Sequence, residues 1–342
     1  MYVALWILSI SASLITAGFL YQLIGARRDR RLYAGLGRWI DIGGRCRLYV
    51  LEKGAGGPTV LFEAGIAATN LNWFHIQETV SRFTYTASYD RGGLGWSSPC
   101  RTTRTPGNIA MELHTMLLGA CIKPPYILVG HSFGGLVMRR YALLYPEDVA
   151  SVLLLDPMRC EEWPPLDPAK QSAVDLGKRL TRYAIPFARF GLVRLALTSL
   201  LCRTGRLSGR LAGAAGVGGR HVLARVTQEV GKMPKEVWPI VAAHWSRPSY
   251  YAGMCNHVGA IPDTVREMHD AEPIHGIPVV VLTPGKSTPL SAEDLGRIGD
   301  NTQQVIAPAS AHWIHLDEPD LVINSIREMV LAATQETVAA AV

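Results

Sequence analysis

Charge is scarce in this chain of 342 residues, and the scarcity is uneven. Residues 1–26 hold no Asp, Glu, Lys, Arg or His, while residues 178–225 hold ten Lys or Arg and no acid. Charged residues make up 18% of the chain and hydrophobic ones 48%, which excludes a disordered or coiled-coil chain. The six cysteines contain no CxxC pair. That spacing argues against a disulfide framework, points to a reducing compartment and supplies no zinc signature. A chain of this length buries a sizeable core without metal or disulfide, and no bound cofactor or metal is expected.

The charge that is present lies in two basic blocks. Residues 27–31 carry four arginines and one aspartate, a net +3, and residues 178–225 carry +10. The rest of the chain is therefore acidic, at −7 against an overall +6. Such blocks suit an anionic surface. Both are rich in Leu, Ala and Gly, and neither zinc-finger nor RNP-like spacing occurs, so lipid is the expected partner and nucleic acid is not.

The uncharged stretch explains why. Residues 3–24 are about long enough to cross a bilayer as a helix, and Tyr2, Trp6 and Tyr21 suit its two interfaces. A cleaved signal peptide is the competing reading, but it calls for basic residues before the apolar run and a small-residue cleavage site after it. Here Arg27, Arg28, Arg30 and Arg31 follow the run. The expectation is a transmembrane anchor over residues 1–26 and a basic juxtamembrane linker over 27–39. The positive-inside bias then puts the remainder in the cytoplasm.

Beyond the linker, short apolar runs at 47–52, 59–63, 83–89, 126–130, 151–156, 277–283 and 304–307 read as strands. Helical spacing appears at 105–119, 134–144 and 321–333. This alternation predicts an α/β fold with a mostly parallel central sheet flanked by helices. Residues 159–274 break the rhythm and read as a helical cap inserted between strands. That divides the core into residues 40–158 and 275–334, with a loose tail over 335–342. Residues 185–201 mix Phe and Leu with Arg189 and Arg194. They fit either a cap helix packed over a site or an amphipathic helix lying on lipid.

Gly130-His131-Ser132-Phe133-Gly134 is a G-x-S-x-G pattern directly after an apolar strand and directly before a helix. That is the setting of a nucleophile elbow, in which a strained turn projects the Ser132 hydroxyl from the sheet edge. A serine needs a base within reach. His312, on the loop after the last strand, is the expected base, and His315 is its rival.

The chain is similar to the α/β-hydrolase superfamily of esterases, lipases and related enzymes. The resemblance rests on the elbow, on Glu63-Ala64-Gly65-Ile66 where relatives carry a His-Gly oxyanion loop, and on Tyr89-Asp90-Arg91-Gly92-Gly93-Leu94-Gly95-Trp96-Ser97. It implies an acyl-enzyme route with the amides of Phe133 and Ile66 holding the oxyanion, and Ala67 as a neighbouring option. Relatives usually place the third triad member after the strand that follows the cap, yet no carboxylate occurs there until Glu293 and Asp294. Asp156, at the end of the strand beyond the serine, takes the role in this reading, with Glu293 and Asp294 as alternatives. Asp90 and Arg91 are expected to brace loops under the elbow. Trp73, Phe74, Trp245 and Trp313 are aromatic candidates for a pocket.

The expected function is a membrane-anchored serine esterase or lipase-like hydrolase of a small hydrophobic ester. Hydrolysis of an amide, thioester or carbon–carbon bond on the same triad is the alternative, as is a catalytically silent binding protein of this fold. Relatives that open epoxides or displace halide use Asp where this chain has Ser132.

Overall fold

A computed structural model describes residues 2–160, 168–202 and 228–340. Eight strands form one sheet in the order β1-β2-β4-β3-β5-β6-β7-β8. They are β1 (Arg38–Asp41), β2 (Arg47–Lys53), β3 (Thr59–Glu63), β4 (Thr86–Asp90), β5 (Tyr126–His131), β6 (Val149–Leu155), β7 (Val279–Pro284) and β8 (Thr302–Ala307). The pairs β1/β2 and β2/β4 are antiparallel and every other pair is parallel. Strands β3 and β5 are buried along their whole length, because helices cover both faces of the sheet there.

Four α-helices come before β6. They are α1 (Tyr2–Tyr33), α2 (Phe74–Val80), α3 (Pro106–Ala120) and α4 (Phe133–Leu144). One sheet face packs Leu61, Leu128 and Val281 against Leu113 and Met116 of α3 and Met138 and Tyr141 of α4. The other packs Phe62, Val129 and Leu153 against Ile76 of α2 and Val322, Ile326 and Val330 of the last helix, Pro319–Ala340.

Between β6 and β7 the chain leaves the sheet. It forms α5 (Pro168–Arg189), α6 (Leu192–Cys202), α7 (Trp238–Trp245), α8 (Pro248–Gly259) and α9 (Ile261–His269). After β7 come α10 (Ala292–Ile298), α11 (Ile314–Asp317) and α12 (Pro319–Ala340). A cap core of Val230, Val237, Val241 and Trp245 packs onto Leu71, Leu94 and Trp96 of the sheet domain.

Several expectations are corrected. Residues 185–201 are two helices rather than one: the chain turns at Phe190-Gly191, where Gly191 has φ +75, a backbone region that disfavours side chains. The part of the basic block over 203–227 lies outside the described residues. The final helix runs on to Ala340 in place of a loose tail from 335, and residues 341–342 lie outside the described residues. Strand β1 escaped the periodicity because it is a four-residue edge strand. Cys46 and Cys100 form a disulfide across 54 residues. The spacing hid this pair, because β2 and the loop after β4 become neighbours only in the sheet, where the Ser98 amide donates to the Arg47 carbonyl at 2.9 Å.

Helix α1 meets the cap through its second half. Residues 2–17 are exposed, whereas Gln22 is buried and donates through Nε2 to the Ser246 carbonyl at 2.9 Å. Its other amide atom accepts from Arg194 Nε at 2.9 Å, and Arg194 Nη1 reaches Asp29 Oδ2 at 2.6 Å.

Candidate active site

The elbow is a consequence of crowding. Ser132 sits at φ 54 and ψ −120, a strained conformation for a residue with a side chain. Its amide donates to the Leu155 carbonyl at 3.0 Å, and its carbonyl accepts from Gly135 and Met158 at 2.9 and 3.2 Å. A methyl on Gly134 would lie 2.5 Å from the Glu63 carbonyl oxygen, and one on Gly130 would lie 2.6 Å from the Gly134 oxygen. Only glycine at both places lets β3, β5 and α4 approach so closely, which is what the two glycines of G-x-S-x-G supply. Ser132 is thereby held half-buried at the carboxyl edge of the parallel strands.

Asp156 stands just past β6 with φ 41, its amide donating to the Leu282 carbonyl at 2.9 Å. This left-handed turn aims the carboxylate at the loop after β8. There Asp156 Oδ2 accepts from His312 Nδ1 at 2.7 Å. A carboxylate only accepts, so Nδ1 carries the proton, an orientation that in the neutral imidazole leaves the lone pair on Nε2. The loop is held at both ends. Glu318 Oε1 accepts from the Ala309 amide at 2.9 Å and from Ser310 Oγ at 2.7 Å, and Asp317 Oδ2 accepts from the Ala311 amide at 3.1 Å.

His131, the variable residue of the elbow, ties this loop to the serine. Its Nε2 lies 2.8 Å from the His312 carbonyl and must be the donor. The two rings stand 4.6 Å apart. Burial holds His131 neutral, with a pKa well below the usual histidine range. The sequence marks His131 only by its place next to the nucleophile. Among the described residues, no hydrogen bond joins Ser132 Oγ to the His312 ring.

The rival positions fall elsewhere. His315 is buried between Trp73 and His131, at ring separations of 4.7 and 4.6 Å, and burial pushes its pKa down to about 3. Glu293 pairs with Arg297 at 2.7 Å, and Asp294 closes a capping box with Ser291 at the start of α10. Neither meets His312. Trp73 is wholly buried against Phe62, so it belongs to the core rather than to a pocket. Phe74 lies beneath Lys53, Trp245 stacks on Tyr250, and Trp313 packs on His131.

Arg91 organises the opposite side of the serine. The guanidinium is buried, pairs with Glu63 at 3.0 Å, donates to the Ala64 carbonyl at 2.8 Å and also donates to the Gly65 carbonyl. In a trans peptide the C=O and N–H point in opposite directions. With the Gly65 oxygen drawn to Arg91, the Ile66 N–H is directed away from it. A methyl on Gly65 would sit 3.6 Å from Ser132 Cβ, so this loop borders the elbow. The Phe133 N–H opens α4 and has no partner within the helix. Arg91 also lies 5.1 Å over the Phe133 ring. Burial pushes Glu63 up to about 7 against the pull of Arg91 and Tyr89. Asp90, pushed up to about 6 by burial, accepts from the Asn70 and Trp96 amides at 3.0 and 2.9 Å and so joins two loops.

Comparison with known proteins agrees with the fold. Residues 58–201 match the family model for the alpha/beta hydrolase fold. The chain is 34% identical to the uncharacterised protein YqjL of Bacillus subtilis over 106 residues, which is 31% of this chain and 42% of that protein. It is 34% identical to 2-(acetamidomethylene)succinate hydrolase of Mesorhizobium japonicum over 146 residues, 42% of this chain and 51% of that one. The chain thus spans about half or less of the length of these relatives. Among solved structures, Cfl2 of Burkholderia cenocepacia superposes with a TM-score of 0.64 at 17% identity, over 86% of this chain and 95% of that one. The epoxide hydrolase CorEH superposes with a TM-score of 0.63 at 15% identity, over 86% and 98%. At these identities the structures share the fold alone. By its motif order, its sheet and its match to the family model over residues 58–201, the chain has the α/β-hydrolase fold.

Proposed function

We propose that this protein is a membrane-anchored serine hydrolase that cleaves a hydrophobic carboxylic ester through an acyl-enzyme. The observation that carries the reading is the 2.7 Å bond between His312 Nδ1 and Asp156, on a loop that His131 fastens to the elbow. Catalytic hydrogen bonds in unliganded enzymes are commonly long and tighten when substrate binds. In this mechanism His312 Nε2 takes the Ser132 proton as Oγ attacks the ester carbonyl. The charge on the carbonyl oxygen is received by the Phe133 and Ile66 amides. Asp156 stabilises the imidazolium, which then protonates the departing alcohol. Water, activated by the same imidazole, releases the acid and restores Ser132.

The anchor is α1, the one helix among the described residues long and apolar enough to cross a membrane. Its buried Gln22 and its Asp29–Arg194 pair support a helix that stays attached, since a cleaved leader would leave Ser246 and Arg194 without these partners. The flanking arginines favour a cytoplasmic catalytic domain. The disulfide argues for the oxidising side. Thiol alkylation after rapid acid quenching of cells decides: free Cys46 and Cys100 support the cytoplasm, and a retained bond reverses it.

A panel of p-nitrophenyl esters of increasing chain length, with thioester and amide analogues, tests the chemistry. Ester turnover that is lost in Ser132→Ala supports the reading. Turnover that survives that substitution, or none on any ester by a folded protein, contradicts it.

A further inference from the structure

The anchor and the cap share a contact whose depth can be counted. A methyl on Gly18 of α1 would lie 2.5 Å from the Phe190 carbonyl oxygen, and one on Gly191 would lie 2.8 Å from the Tyr21 ring. The α5–α6 corner is therefore pressed against α1 at Gly18 and Tyr21. These residues precede Arg27, the first charge of the chain, by nine and six positions. At 1.5 Å per residue the corner lies about 9–14 Å along α1 from the arginine row. The exposed part of α1, residues 2–17, spans about 24 Å, and the uncharged run continues through residues 18–26, which include those that touch the cap.

The surface of that corner has the composition of an immersed face. Tyr183, Phe187, Phe190, Leu192 and Leu195 are exposed, at 64%, 54%, 36%, 53% and 57%. Tyr183, Phe187 and Phe190 follow one another by four and three residues. Arg182 and Arg189 stand one position before Tyr183 and Phe190, and Arg179 stands four before Tyr183; all three are exposed. An aromatic row beside an arginine row suits a helix with its apolar side in the acyl region and its guanidinium groups reaching back to phosphate. The only strongly polar residue of α1 at this level, Gln22, spends its amide on Ser246 and Arg194 rather than facing outward.

We propose that the α5–α6 corner of the cap is immersed in the lipid bilayer beside α1, so that the cap is a second membrane contact. This rests on the reading of α1 as an anchor. The same cap also touches the loop beside the elbow: Ser246 holds α1, and four residues on, Tyr250 donates to the Ala67 carbonyl at 2.8 Å, next to Ile66.

The test is photolabelling of the full chain in phosphatidylcholine vesicles whose acyl chains carry a diazirine, followed by peptide mapping. Adducts on both residues 3–17 and residues 183–195, each about ten-fold above those on residues 319–335, support the proposal. Adducts on 3–17 without any on 183–195 overturn it and leave the anchor standing. Adducts on neither segment overturn the anchor reading and the proposal together. Labelling of 319–335 as strong as that of 183–195 also overturns the proposal, because the corner would then have no preference for lipid.

Discussion

The elbow and the cap are built on opposite principles. At the elbow, main-chain atoms close on one another so tightly that two positions admit only glycine, and His131 and His312 each have a fixed partner. In α5 and α6 the packed side is thin and large apolar residues face outward. The contrast teaches where each property resides. The elbow geometry comes from backbone crowding in the sheet, whereas the exposed apolar surface belongs to a helical insert.

The contrast is open to attack at the elbow first. Asp156→Asn keeps the turn but leaves His312 free to adopt the wrong tautomer, and should lower kcat by about 10⁴-fold with thermal stability unchanged. Steady-state kinetics beside a melting curve checks both halves, and near-normal turnover moves the acid elsewhere.

Arg91→Lys keeps the charge and loses the fork that grips two carbonyls. With the Ile66 amide no longer fixed, kcat should fall by about 10²–10³-fold while KM changes little. An equal rise in KM with kcat intact would mean that Arg91 serves binding instead of oxyanion geometry.

Protonation gives a smaller and more diffuse effect. His315 is held neutral with its pKa down at about 3, and an unfolded histidine titrates near 6.5. The unfolded chain gains a proton below about 6.5 that the native state refuses, so stability falls as pH drops from there toward 3. His131 acts in the same direction. Urea unfolding of His315→Phe at pH 7.5, 5.5 and 4.5 should show a shallower decline than the parent, by up to about 1.4 kcal/mol per pH unit. Parallel declines contradict the burial of a neutral ring.

The cap should be the least sensitive to the same scrutiny. Phe187→Ser combined with Leu195→Ser removes exposed apolar surface and should leave kcat/KM for a short soluble ester within about two-fold and the melting temperature within a few degrees. A ten-fold loss on that ester would show that these residues support the site directly.

Legibility followed the same division. Burial on both faces wrote β3, β5 and β6 into the sequence as continuous apolar runs, and the elbow glycines stood beside the serine they serve. Asp156 was readable because it ends a strand adjacent to the serine's own. The His131–His312 bond and the grip of Arg91 on Ala64 and Gly65 were not, since each joins segments that only the sheet brings together. The corner at Gly191 was missed because apolar spacing continues through it; a single φ angle, with no change in composition, splits the helix.

The most direct measurement is the site of covalent capture by a fluorophosphonate. Peptide mapping of the labelled protein should find one adduct, on Ser132, abolished in Ser132→Ala and slowed by orders of magnitude in His312→Ala. A folded protein that takes up no label, or carries it on another residue, would contradict a nucleophile at the elbow.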